Sequence, residues 1–281
     1  MLFKKITFLF YCFFSLGFLT TLSASSADGP AGESECCTPD FKPGASHTSP
    51  NASRYVEFHI SGYRVMVADT IADKEYTLEM LRLLRASFKK ADRYFLKEFT
   101  EKIRQSPIWL EQQDGMGVAA YHPSVEWLRA HGVNEEFAHC IQCADTGSGV
   151  AYLKNNQPYM YLHEMSHLVH HLVLGYENRL IIEAYENAMR DKLYENVLYY
   201  SHGKFRKVEK AYCCNNYKEY FAELTEAYFG VNDFYPFTRS QLEEHDPVGF
   251  AMMEKIWKQK TRYDKSGQKR FLEEKYDRRQ R

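Results

Sequence analysis

His163-Glu164-Met165-Ser166-His167 sets two imidazoles and a carboxylate within five residues. On an α-helix, residues four apart share a face, so both imidazoles can reach a single ion. Neutral imidazole suits zinc, and a carboxylate between the two is placed to take a proton from an attacking water. A catalytic zinc is held by three protein ligands with one position left open, so this chain must supply a third ligand. His170 and His171 follow closely, but eight helical residues rise about 12 Å, so His163 and His171 cannot meet at one ion. A surface or supporting place is expected for both.

The elements around these residues must position them. Gln157 to Leu174 reads as a helix: Pro158 suits a first turn, Asn155 or Asn156 can cap, and Gly175 is a natural stop. Leu162, Met165, Val169 and Leu172 recur at helical spacing, leaving His163 and His167 free to face a cleft. A second helix is expected from about Asn216 to Phe229, where Glu219, Glu223 and Glu226 fall at i, i+4 and i+7, and Phe221, Leu224 and Tyr228 form an apolar face. Taken alone, that stripe reads as a solvated amphipathic surface. With a zinc site lacking a ligand in the same chain, it becomes a candidate ligand face. Glu183, in Ile181-Ile182-Glu183-Ala184-Tyr185, is the competing donor.

The pair HExxH and, downstream, Tyr212-x6-Glu219-Tyr-Phe-Ala-Glu223 resembles the catalytic domain of anthrax lethal factor and the Pro-Pro endopeptidases. The motif match covers 157–175 and 212–230. A broader likeness, carried by Glu219 through Gly230 and by Asn232-Asp-Phe-Tyr-Pro-Phe237, extends over about 55–260 to a family of secreted metallopeptidase-like proteins. The resemblance implies one catalytic zinc held by His163, His167 and Glu219, with Glu164 as general base. It places Tyr212 where those enzymes keep a tyrosine facing the metal, a donor to the developing oxyanion. Glu223, one turn past Glu219, is expected to orient a ligand histidine. The vicinal pair Cys213-Cys214 departs from the toxin pattern. Val173 stands where the metzincins have a third histidine, and Ile182 and Asn187 depart from the thermolysin pattern around Glu183.

Residues 1–27 have the form of a secretory signal: Lys4 and Lys5, an apolar run from Ile6 to Leu22, and the small residues Ser25-Ser26-Ala27. The competing reading is an uncleaved anchor, for which seventeen apolar residues are short. Cleavage predicts a secreted or periplasmic protein starting near Asp28, with no membrane span left. Loss of two lysines takes the formal charge from −1 to −3, and without a basic stripe nothing suggests nucleic acid. Cys12 leaves with the signal. Cys36, Cys37, Cys140, Cys143, Cys213 and Cys214 remain, an even count that in an exported chain favours disulfides over a structural zinc knot. If Cys140 and Cys143 share a strand, about 10 Å separates its ends, too far for a bridge between them. Partners among the other four are then expected, with no thiol left free.

Residues 28–53, rich in Pro, Gly, Ser and Ala, read as a flexible linker, with Asn51-Ala-Ser53 a glycan acceptor only in a eukaryotic secretory pathway. Beyond it, Val56, Phe58 and Ile60 alternate with polar residues, and Ser61-Gly62 turns into Tyr63–Asp69, the signature of a hairpin. Leu81, Leu84, Phe88, Ala91, Phe95 and Phe99 predict one long amphipathic helix. Pro107–Glu111 and Gly117–Tyr121 are short strand candidates, the second a possible sheet edge for an extended peptide. Leu180–Tyr200 and Val248–Lys258 read as helices, and 263–281 as a charged, solvated helix or tail. The expected fold is a single α+β domain at 54–262, mostly helical, with a small twisted sheet and an HExxH helix in a zincin-like arrangement. The function expected is zinc-dependent hydrolysis of peptide bonds in a peptide or protein substrate. A zinc amidase or deacetylase is the alternative with the same chemistry. A non-catalytic binding protein on the same scaffold is another, though it would have no use for Glu164.

Overall fold

The computed structural model describes residues 46–48, 54–113 and 118–277. The expected leader, nearly all of 28–53, Cys36, Cys37 and the Asn51–Ser53 acceptor lie outside the described residues. The alternating run forms β2 (Arg54–Ile60) and β3 (Tyr63–Ala68), with β1 (Ser46–Thr48) antiparallel to β2 on its outer side. Ser61 and Gly62 both have positive φ, 52° and 82°, the two-residue turn whose twist suits a hairpin.

The apolar stripe of the expected long helix is present, but the chain breaks within it. α1 spans Glu75–Tyr94 and α2 Lys97–Ile103, with Phe95 and Leu96 extended between them. At the break, the Phe95 ring stacks on Trp257 at 4.4 Å between centroids. A local periodicity carries no information about that partner, 162 residues away in sequence. Both short strand candidates exist, as β4 (Ile108–Leu110) and β5 (Ala120–Tyr121). After α3 (Val125–Ala130), β6 (Ile141–Cys143) completes a six-stranded sheet in the order β1-β2-β3-β4-β6-β5. β3, β4 and β6 run parallel, and β5 is antiparallel to β6 at the edge.

The parallel strands are buried on both faces, as parallel pairing with crossover elements requires. Val65, Val67, Ile108, Leu110 and Ile141 enter the main core, while Tyr55, Met66 and Trp109 meet Leu128 and Phe137 in a second cluster on the other face. Cys143 belongs to the first cluster and Cys140 to the second. The two thiols thus lie on opposite faces of the sheet and cannot pair with each other. Cys140, Cys143, Cys213 and Cys214 are all free thiols, so among the described residues the expected bridges are not formed.

α4 (Thr146–Asn155) leads into α5 (Met160–Val169), which carries the histidine motif. α5 is shorter than the expected 157–174 helix, because Asn155 ends α4 and the chain widens into a π-type turn at His170–Leu174 before Gly175, φ 78°, stops it. All ten residues of α5 are buried, not one face alone. α6 (Arg179–Arg190) covers only half of the expected Leu180–Tyr200 helix; the rest forms the hairpin of β7 (Glu195–Ser201) and β8 (Lys204–Lys210). The turn at His202-Gly203, with φ 50° and 75°, and the β-prone run Val197–Tyr200 account for the switch.

α7 (Tyr217–Phe229) crosses α5, and α8 (Arg239–His245) and α9 (Pro247–Trp257) pack behind it. The charged segment after residue 262 was expected to be solvated, and here the structure corrects the reading. It forms α10 (Lys265–Phe271) and a further turn to Tyr276. Phe271 is buried against Tyr200 and Phe237, both at 5.3 Å, and Gln268 donates to the carbonyls of Ala227 and Gly230. Its many charges lie on the outer side of a helix whose inner side closes the end of α7. The described body is therefore a mixed α/β fold, largely helical with a small sheet, and it continues past 262. Among the described residues no helix is long and apolar enough to cross a membrane.

Candidate metal centre

His163 and His167 lie one turn apart on α5, held there because Tyr161, Leu162, Met165, Leu168 and Val169 fill the surrounding core. α7 brings the third group. Its first turn is fixed by Asn216, whose side chain accepts from the Lys218 and Glu219 amides at 2.9 and 3.1 Å. Glu219 Oε2 then lies 3.2 Å from His163 Nε2 and 3.3 Å from His167 Nε2. Tetrahedral zinc with bonds of about 2.0–2.1 Å to N and O separates its ligand atoms by about 3.3–3.4 Å. Both histidine–carboxylate distances lie close to that spacing.

The far side of His163 reinforces this. Nδ1 lies 2.9 Å from Glu226 Oε1, which also accepts from Gln157 Nε2 at 2.6 Å. With the ring proton held on Nδ1 by Glu226, the Nε2 lone pair points at a carboxylate. That contact is favourable only with a cation between them, a proton or a metal ion. The donor set fits zinc: two imidazole nitrogens and one carboxylate oxygen, with Glu226 fixing the tautomer of a ligand.

Glu226 therefore does what was expected of Glu223. Glu223 Oε1 is 3.9 Å from His163 Nδ1, beyond hydrogen-bonding distance, and its Oε2 accepts from Asn232 Nδ2 at 3.0 Å. The sequence signal for Glu226 was its place at i+7 in the acidic stripe. Which acid of the stripe meets the ring depends on where α7 crosses α5. Glu183 is exposed and paired with Arg179 at 3.1 Å, out of contention as a ligand.

Electrostatics follow from burial and pairing. Burial alone would depress His163, but hydrogen bonds to Glu219 and Glu226 outweigh it and raise its pKa well above the ordinary value. Burial would raise Glu219, yet the His167 charge and the hydrogen bonds of both histidines hold it well below the carboxylate range. Glu164, between the ligands in sequence, is buried, and that burial raises its pKa; His163 and His167 oppose the shift, as does the Tyr121 backbone N–H, which donates to its carboxylate. Glu223 and Asp233 are likewise raised, by burial and then by neighbouring acids.

Tyr212 lies on a short 3₁₀ turn, Tyr212–Asn215, just before α7, and its ring centroid is 6.4 Å from that of His163. Tyr220 is committed to Asp246 at 2.5 Å and the Tyr217 hydroxyl reaches Glu177 at 3.5 Å. Of the three tyrosines, Tyr212 is the one whose ring meets that of His163. Tyr121 was not anticipated. It belongs to the edge strand β5, stacks over His167 at 6.3 Å, and bonds His171 Nδ1 at 2.7 Å. Among the described residues no strand pairs with the outer side of β5. His170 is a core residue, edge-on to Tyr176, Tyr217 and Phe221 and held down to about 3 by burial and the His167 charge.

Comparison with protein-family models, with curated proteins and with solved structures finds no match for the chain. The likeness to lethal factor and the Pro-Pro endopeptidases rests on the motif residues alone.

Proposed function

We propose that the chain is a zinc-dependent metallopeptidase of zincin-like arrangement, exported and acting on peptide bonds. The observation that carries this reading is the convergence of His163 Nε2, His167 Nε2 and Glu219 Oε2, at 3.2 and 3.3 Å, beside the buried Glu164. His163, His167 and Glu219 would hold the ion, which when bound supplies a Lewis acid for the scissile carbonyl and lowers the pKa of water. Glu164 accepts the proton of the attacking water, a role that suits a carboxylate whose affinity for protons is raised above the ordinary range. It then passes that proton to the leaving amine. Tyr212, on its turn beside His163, donates a hydrogen bond to the oxygen that gains negative charge. Glu226 holds the His163 ring so that Nε2 stays a ligand. An extended peptide would lie along the outer side of β5, beside His167, where no described strand pairs.

The test combines metal analysis with digestion of an unbiased peptide library. The wild type is expected to carry one zinc per chain and to cleave. Glu164→Gln should keep the zinc while turnover falls by roughly 10²–10⁴, and Tyr212→Phe should keep it while kcat falls by about 10²–10³. A metal-free wild type, or full activity in Glu164→Gln, would sink the reading.

A further inference from the structure

Beyond His167, along α5 and away from His163, the site is walled by a stack of rings. The Tyr121 hydroxyl bonds His171 Nδ1 at 2.7 Å, and the Tyr176 ring lies flat on His171 with centroids 4.2 Å apart and planes 5° off parallel. His139, on a backbone of φ 59°, meets His171 edge-on at 5.0 Å. The second face of Tyr176 is covered by the Lys218 ammonium, 4.1 Å from the ring centroid. Tyr121 ties this wall to the candidate centre, its ring stacked over that of His167 at 6.3 Å.

Lys218 is the unusual member of this wall. It is half-buried and directly precedes the ligand Glu219. Among the described residues no carboxylate lies within ion-pairing distance of it, and its ammonium sits over the rings of Tyr176 and Tyr217 at 4.1 and 5.9 Å. A ring face attracts an ammonium but takes none of its three N–H donors as a carboxylate would. Glu219 faces the two ligand histidines. When the Tyr121 hydroxyl donates to Nδ1, the His171 ring carries its own proton on Nε2, a further donor in the same wall. Burial, then His139 and Lys218, lower the pKa of His171, so the fixed positive charge of the wall is the Lys218 ammonium over Tyr176.

We infer that this wall is a subsite for a carboxylate of the peptide substrate, with Lys218 as its anchor. The carboxylate would be either an Asp or Glu side chain near the scissile bond or the free C-terminus. The inference deepens the metallopeptidase reading and rests on it for the reaction.

The experiment uses the zinc-loaded full chain and two sets of peptides: blocked, amidated peptides carrying Glu, Gln or Lys at each position, and acid-free peptides with free or amidated C-termini. Glu-bearing or free-ended peptides should be cleaved with kcat/KM about tenfold or more above their Lys or amidated counterparts. The arm that shows the preference identifies which carboxylate is read. Lys218→Met should flatten the preference and Lys218→Glu should reverse it, both with zinc content unchanged. Cleavage without a charge preference, or a preference that survives Lys218→Glu, overturns the subsite. If the wild type cleaves no peptide, the metallopeptidase reading falls by itself. Binding of the same peptides to zinc-loaded Glu164→Gln then decides: tighter carboxylate binding that Lys218→Glu abolishes upholds the subsite, and absent or charge-blind binding refutes it.

Discussion

Each nitrogen of the His163 ring has its own carboxylate, Glu219 on Nε2 and Glu226 on Nδ1. The two acids are seven residues apart on α7, so one helix clamps both edges of a ring presented by another. A negative partner on Nδ1 raises the basicity of the ligand nitrogen and fixes its direction, and losing such a partner typically costs ten- to a hundredfold in metal affinity. Glu226→Gln keeps the shape and removes the charge, so zinc affinity, measured by competition with a chelator, is expected to drop by about tenfold or more. Glu223→Gln should cost less, because its Oε1 stands 3.9 Å from the ring and its Oε2 accepts from Asn232. A larger loss in the Glu223 variant would return the orienting role to that residue. The acids themselves were legible in the sequence as a stripe, as were His163, Glu164 and His167. The motif implied the part of Glu219, but which of Glu223 and Glu226 meets the ring was not legible, because helical spacing states which residues share a face and not where a second helix crosses it.

At the scale of elements, the site depends on the first turn of α7 being in place. Asn216 satisfies two amides there that otherwise have no acceptor, one of them belonging to Glu219 itself. Asn216→Ala is expected to cost about 1 kcal/mol of stability and, unlike a cap far from the site, to weaken zinc binding as the turn carrying Glu219 frays. Chemical denaturation together with metal titration checks both; a stability loss with unchanged zinc affinity would separate the cap from the site. The helix was expected from about Asn216 itself, whereas Asn216 stands just before it as the cap. The end of α1 could not be read in advance. Its apolar stripe continues unbroken from Leu81 to Phe99, and only the Phe95–Trp257 stack shows why the backbone turns there.

For the whole molecule, the C-terminal segment shows how charge density misleads. Residues 263–281 carry acids and bases in quantity, yet Phe271 and Gln268 seal the end of α7, and the Tyr159 hydroxyl bonds Asp264 at the foot of the same helix. One apolar side chain and one amide in the right places suffice to dock a short helix. Phe271→Ala should therefore destabilise the protein by about 3 kcal/mol, the lower range for emptying a buried phenylalanine site. A solvated tail would give a change near zero in thermal or denaturant unfolding, so this measurement distinguishes the two.

Residue identity and spacing alone determined the candidate chemistry: two imidazoles at i and i+4, a carboxylate between them, an acidic stripe downstream and a hairpin at Ser61-Gly62. These are local quantities, fixed by the period of a helix or the φ a turn demands. The tertiary structure decided everything that depends on two distant segments meeting. It brought Glu219, which its motif had already singled out, to the histidine Nε2 atoms, chose Glu226 for Nδ1, brought Tyr121 and Lys218 to the far side of His167, and placed Cys140 and Cys143 on opposite faces of one sheet. Such contacts depend on how helices cross and strands order, and those are set by the packing of the whole core rather than by any window of sequence.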